Sequence, residues 1–220
     1  MATAPIALTG ATGRIGGRVA DRLATKGVPL RLLVRDPDRA PDLPGATAVV
    51  APFADGDAVR EALTGVETAF MVSASEAADR AQQHLTFVEA AAAAGVRHLV
   101  YLSFQGASPE STFTFARDHA VTEEAIRASG MAWTFLRDSF YADVFEHFAD
   151  EDGVLRGPAG DGRVAPVARA DVARAAHRQG LSTRAVTASP LPGPSGNVEY
   201  FLWLIKDGGA TAPDDEQLQA

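Results

Sequence analysis

The chain has 220 residues, 46% apolar and 22% charged, with a formal net charge of −8; this suits one α/β domain with a substantial core and argues against a general nucleic-acid or anionic-membrane binder. It has no cysteine, so disulfides, thiolate nucleophiles and cysteine metal sites are excluded. Its five histidines do not fall at metal-ligand spacing, and no apolar run reaches membrane-spanning length.

The N-terminus has no basic-then-apolar signal pattern, and a cytoplasmic setting is the default expectation. Ile6-Ala7-Leu8 is predicted as a strand. It runs into Gly10, Gly13 and Gly16, and Ile15, Val19 and Leu23 then recur at helical spacing. Strand, glycine turn and helix N-terminus in that order form a cradle for a dinucleotide pyrophosphate, because the first helical N–H groups are unpaired and the helix dipole favours an anion. Gly10 suits the tight turn, Gly13 the approach of phosphate, and Gly16 the close packing of helix on strand. Thr12, Arg14 and Ile15 lie in the same turn and are counted with it.

Gly27 closes that helix and Leu30–Val34 reads as the second strand. Its first following residue is Arg35, where sites that prefer NAD place an acidic side chain on the ribose 2′-OH. A cation there suits a 2′-phosphate, so NADP(H) is expected in preference to NAD(H). The alternatives are an ordinary loop arginine at 35 and a ribose contact from Asp36.

Further along, Thr47–Val50, Thr68–Val72, His98–Leu102 and Trp133–Leu136 read as strands. Helices are predicted over Ala58–Leu63, Ala78–Ala94 and Ala116–Ser129, with a short aromatic helix over Phe140–Phe148. Repeated βα units predict a doubly wound parallel sheet with helices on both faces and ligands outside the C-terminal strand ends. Gly10, Arg35, Ser73 and Ser103 fall at those ends.

The runs TGATGRIGG, LLVRDPDRA, QQHLTFVEAA, AAAAGVRHLVYLS, FARDHAVTEEAIRASGMAWTFLRDSFYADVF and GPAGDGRVAPVARADVARAA resemble, in order, the atypical short-chain dehydrogenase/reductases. The nearest branch is the NmrA-like group, which includes NADPH-dependent quinone oxidoreductases. The resemblance covers roughly residues 4–178 and implies a Rossmann-type NAD(P)-binding domain over 1–178. It also implies that Gly10, Gly13, Arg14, Ile15 and Gly16 contact the phosphates, that Arg35 meets the 2′-phosphate, and that Ser73 borders the nicotinamide ribose.

Active dehydrogenases of this superfamily carry Tyr-x-x-x-Lys on the helix after the fifth strand. The matching stretch here is Phe115-Ala116-Arg117-Asp118-His119. Phe115 has no proton to give, so reduction of an ordinary ketone, whose alkoxide needs an acid, is disfavoured. Quinone reduction escapes that need: hydride arrival makes a weakly basic hydroquinone anion that water protonates, and the protein need only align the rings. Phe115, Phe140 and Tyr141 are candidate apolar walls, or simply core. His119 is a candidate for a ribose contact or substrate orientation, or a surface or helix-capping residue. Arg137-Asp138 departs from the Arg-Asn pattern of this branch. The resemblance implies an NADP(H)-dependent oxidoreductase acting on a quinone-like or other small electrophile; the alternative is a non-catalytic NADP(H)-binding redox sensor. A homodimer and no nucleic-acid or membrane partner complete the expectation.

Family members usually continue through a full substrate lobe. After residue 178 this chain reads GLSTRAVTASPLPGPSGNVEYFLWLIKDGG, and SPLPGPSGNVEYFLWL resembles the end of haemolysin-A-type rRNA 2′-O-methyltransferases. Residues 179–220 are expected to be an atypical tail: a hairpin of Ala185–Ser189 and Val198–Ile205 around a Pro/Gly turn, then a disordered end. No methyltransferase cofactor domain precedes it, so methyl transfer is not inferred.

Overall fold

Short apolar runs separated by amphipathic helices leave the strands buried on both faces, as a parallel sheet requires. In the computed structural model, residues 4–141 are described, together with the strand backbones of 182–188 and 200–205. The chain divides into two units, Met1–Asp138 and Ser139–Ala220.

The first unit is built from β1 (Ile6–Thr9), α1 (Arg14–Thr25), β2 (Leu30–Val34), β3 (Ala46–Val50), α2 (Gly56–Ala62), β4 (Thr68–Val72), α3 (Arg80–Ala93), β5 (His98–Phe104), α4 (Thr114–Ala128) and β6 (Ala132–Asp138). Its six strands lie in the order β3-β2-β1-β4-β5-β6, all parallel. The sheet therefore reverses direction of winding between β1 and β4, and the crevice beyond their C-terminal ends is where such sheets take ligands.

One buried cluster joins Ala7, Leu33, Ala69, Met71, Leu99 and Tyr101 of the strands to Val59 of α2, Phe87 and Ala91 of α3 and Ile126 of α4. Alternation along the strands sends Leu8, Leu32, Phe70 and Val100, also buried, to the opposite face. Ile15, Val19 and Leu23 of α1 are the buried stripe expected from their spacing. At the β6 edge Trp133 stacks on Phe135 with ring centroids 4.3 Å apart, and the Arg127 guanidinium lies over both rings.

In the second unit β7 (Ser182–Ala188) pairs antiparallel with β8 (Tyr200–Ile205). β7 overlaps the expected strand Ala185–Ser189 but starts three residues earlier, and β8 lies within the expected Val198–Ile205. The short aromatic helix begins differently: Phe140 is irregular and Tyr141 is a bridge residue. The rest of that segment, the Pro/Gly turn and the chain end lie outside the described residues.

Candidate functional site

The crevice is bounded on one side by the glycine turn. Gly10 adopts φ +69°, and a Cβ added there would stand 3.0 Å from Val72 Cβ at the end of β4. Thr9, just before it, accepts a hydrogen bond from the Val72 N–H at 2.9 Å and donates its own hydroxyl to the Val72 carbonyl at 3.2 Å. The ends of β1 and β4 are thus tied together at the crevice. The Gly13 N–H closes the turn on the Gly10 carbonyl at 2.9 Å. A Cβ on Gly16 would lie 2.2 Å from the Gly10 carbonyl oxygen, a backbone atom that cannot swing aside. Helix α1 starts behind this turn with Gly13 as its cap, no side-chain cap and no acidic residue in its first turn. Its N-terminal end is therefore left electropositive for an anion. Thr12, Gly13 and Arg14 are exposed there, while Ile15 anchors the helix in the core.

Arg35 follows β2 and is exposed. Asp36 caps a 3-10 turn over Pro37–Arg39, one of its carboxylate oxygens accepting the Asp38 N–H at 3.1 Å. The acidic alternative for the ribose thus has a structural task, although Asp36 is exposed like Arg35 at the strand end.

On the far side of the crevice, beyond β4 and β5, lies a buried polar network. Arg80 and His84 of α3 are 3% and 0% exposed. The Ala74 N–H donates to His84 Nε2 at 2.9 Å, and Arg80 Nε donates to the Ala74 carbonyl at 2.9 Å. Arg80 also pairs with Asp118 Oδ2 at 2.9 Å and reaches His119 Nε2 at 3.2 Å. An arginine only donates, so His119 Nε2 accepts and its Nδ1–H donates to the Tyr101 hydroxyl oxygen, 2.7 Å away. By the same logic His84 carries its proton on Nδ1 and donates to Thr122 Oγ1 at 2.9 Å. Thr122 donates onward to the Asp118 carbonyl at 2.7 Å. Both imidazoles are neutral: burial, then the Arg80 charge, lowers His84 to about 3 and His119 to about 4. Burial raises the Tyr101 phenol.

A second cluster holds the β5–α4–β6 corner. Glu123, 1% exposed, accepts from Ser103 Oγ at 2.6 Å, from Arg137 Nε at 2.8 Å and from Arg127 Nη2 at 2.8 Å. Burial pushes the Glu123 carboxyl up, but hydrogen bonds from Arg137, Ser103 and Arg127 outweigh it and hold the carboxyl below its usual value.

A family of NAD(P)H-binding proteins matches residues 10–179. The chain belongs to this family. Within this NAD(P)H-binding family it is of the atypical short-chain dehydrogenase, NmrA-like type. It is 40% identical over 181 residues to quinone oxidoreductase 2 of Escherichia coli, covering 79% of this chain and 63% of that one. The solved structure of an E. coli NADPH-dependent quinone oxidoreductase with NADPH superposes with a TM-score of 0.71 at 39% identity, over 79% of this chain and 63% of that one. Triphenylmethane reductase from Citrobacter sp., solved with NADP(H), also gives 0.71, at 32% identity over 79% and 64% of the two chains. The chain thus spans 61–63% of the length of the curated reductases it matches. Separately, 33 residues are 70% identical to the 16S/23S rRNA (cytidine-2′-O)-methyltransferase TlyA of Mycobacterium tuberculosis, over 15% of this chain and 12% of that one.

The fold brings Gly10, Thr12, Gly13, Arg14, Ile15 and Gly16 together as one turn, with Arg35 at the next strand end and Ser73 across the crevice. Ser103 stands at the end of β5, but its hydroxyl is turned inward to Glu123. Arg137 faces the same carboxylate. Phe115 is half-buried under the Arg80 guanidinium, 4.9 Å from its ring centroid. The surface alternative for His119 is overturned: the residue is 7% exposed and both ring nitrogens are engaged within the domain. Phe140 and Tyr141 belong to the second unit. Arg80, His84 and Tyr101 escaped the sequence reading. The one available signal was the stripe Arg80, His84, Phe87/Val88 and Ala91, in which two polar residues continue an apolar face.

Proposed function

We propose that this chain is an NADP(H)-dependent oxidoreductase that passes hydride to a quinone-like or other small electrophilic acceptor. The observation that carries the reading is the glycine turn at the β1–β4 crossover, with Gly16 pressed against Gly10 and Arg35 exposed at the next strand end. When bound, the nicotinamide supplies the hydride. The residues of this chain hold the phosphates, and Arg35 supports the choice of NADP(H) over NAD(H) through a charge-assisted contact with the 2′-phosphate.

The acceptor class follows from the α4 residues. Phe115 carries no proton, and His119 is neutral, buried and hydrogen-bonded through both nitrogens. Neither serves as the acid that an alkoxide product needs, whereas a hydroquinone anion is protonated by water. Phe115 is then a wall for a flat acceptor. His119 acts at one remove, by orienting Arg80. The reductase names of the relatives support the same class. The reading includes a cytoplasmic setting, small molecules in place of nucleic acid as partners, and a homodimer, which light scattering would test. No helix of the described residues is long and apolar enough to cross a membrane.

The test is NADPH oxidation, followed at its near-ultraviolet band, with a simple benzoquinone as acceptor. Quinone-dependent oxidation well above the blank supports the reading. Tight NADPH binding without turnover favours the redox-sensor alternative, and no binding of either nucleotide overturns both.

A further inference from the structure

Ala74 is the point where the buried network reaches the crevice. It lies two residues past Val72, whose side chain faces Gly10, in a stretch with neither helix nor strand bonding. A peptide at such a place is ordinarily mobile. Here its N–H and its carbonyl are both held, by His84 and by Arg80, one helical turn apart on α3. The same Arg80 is fixed by Asp118 and by neutral His119, so α4 sets the position of the arginine that sets Ala74. With the pyrophosphate on α1 and the 2′-phosphate end beside Arg35 on the β2 side, the other half of the dinucleotide extends over β4, where Ala74 sits.

We propose that His84 and Arg80 are positioning residues that clamp the Ala74 peptide so that the β4 loop receives the nicotinamide half of the cofactor. The inference rests on the nucleotide reading above and deepens it. Its ligand is the reduced nicotinamide riboside portion of NADPH. The clamp has a defined chemistry: an acceptor nitrogen for the Ala74 N–H and a guanidinium Nε–H for its carbonyl. A loop freed of the clamp still leaves the glycine turn and Arg35 intact, so the 2′-phospho-ADP half should bind as before.

The experiment titrates the full chain with NADPH and with 2′-phospho-ADP, which lacks the whole nicotinamide riboside. His84→Leu removes the acceptor; His84→Gln keeps an oxygen near the Nε2 position. The expected result is a loss of about tenfold or more in NADPH affinity for His84→Leu, the size of one lost hydrogen bond. Binding of 2′-phospho-ADP should stay within about twofold, and His84→Gln should recover most of the NADPH affinity. If His84→Leu does not fold, Arg80→Lys replaces it: the ammonium still serves Asp118 but lacks the Nε–H for Ala74, and the same selective loss is expected. A parallel loss of both ligands, or no loss of NADPH affinity, overturns the clamp while leaving the nucleotide reading standing. An unmutated protein that binds neither ligand overturns the nucleotide reading, and the clamp with it.

Discussion

Arg35 and Gly16 are single residues with separable effects. A charge-assisted contact with a 2′-phosphate contributes roughly 1.5–3 kcal/mol, or about ten- to a hundredfold in affinity. Arg35→Ala should therefore bring NADPH affinity down to that of NADH while leaving NADH binding nearly unchanged, as read by calorimetry; equal affinities in the unmutated chain would sink the preference. Gly16→Ala tests the turn. Its Cβ would meet the Gly10 carbonyl at 2.2 Å, so overpacking should destabilise the fold by about 1–3 kcal/mol or more and abolish nucleotide binding. A variant with unchanged melting temperature and NADPH affinity would contradict this. At the candidate catalytic positions the structure separates two substitutions that sequence treats as a pair. Phe115→Tyr adds a hydroxyl to a half-buried ring and should leave any quinone reduction nearly unchanged. His119→Lys brings a second cation to the side chain whose Nε2 now lies 3.2 Å from the Arg80 guanidinium, and should lower stability at neutral pH.

Between α3, α4 and β5 the two neutral histidines make stability depend on pH. Unfolded, each titrates near 6.5; folded, His84 is held at about 3 and His119 at about 4. The unfolded chain thus binds more protons as pH falls from 6.5, and the histidines' contribution, present in full above 6.5, is lost progressively on the way down to the folded values. Between pH 6 and 5, above most carboxylate titration, urea unfolding should lose up to about 1.4 kcal/mol per pH unit for each histidine. His84→Gln should remove one share of that slope, and an unchanged slope would show that His84 already titrates normally in the fold. The β5–α4–β6 corner answers to Glu123. Without its carboxylate Ser103 loses its partner, while Arg127 and Arg137, 38% and 45% exposed, can turn to water. Glu123→Ala should cost about 1.5–3 kcal/mol, read as a lower urea midpoint.

For the whole molecule, the glycine turn, Arg35 and Ala74 all lie within Met1–Asp138. A chain ended after Arg178 should then keep its NADPH affinity within about threefold in the soluble fraction, with any change appearing in melting temperature or oligomeric state. A soluble, folded truncation that no longer binds NADPH would place part of the nucleotide site in the tail.

What the sequence determined by itself was local. The strand–glycine–helix start, the order of βα units and the cation after β2 all follow from apolar period, turn residues and spacing within about a dozen positions. The parallel order of the sheet follows from those units through the handedness of their crossovers. The remaining features depend on long-range packing. Arg80 and His84 reach partners 38 and 39 residues away, and Ser103 and Arg137 meet at Glu123 only because β5, α4 and β6 pack side by side. Apolar periodicity marks a buried face because burial alone stabilises an apolar side chain. A buried arginine or histidine is stable only once its partners surround it, so in the chain it reads as one more surface charge. His119 carries that lesson most clearly: the spacing placed it correctly on α4, but Tyr101 and Arg80 turned it inward.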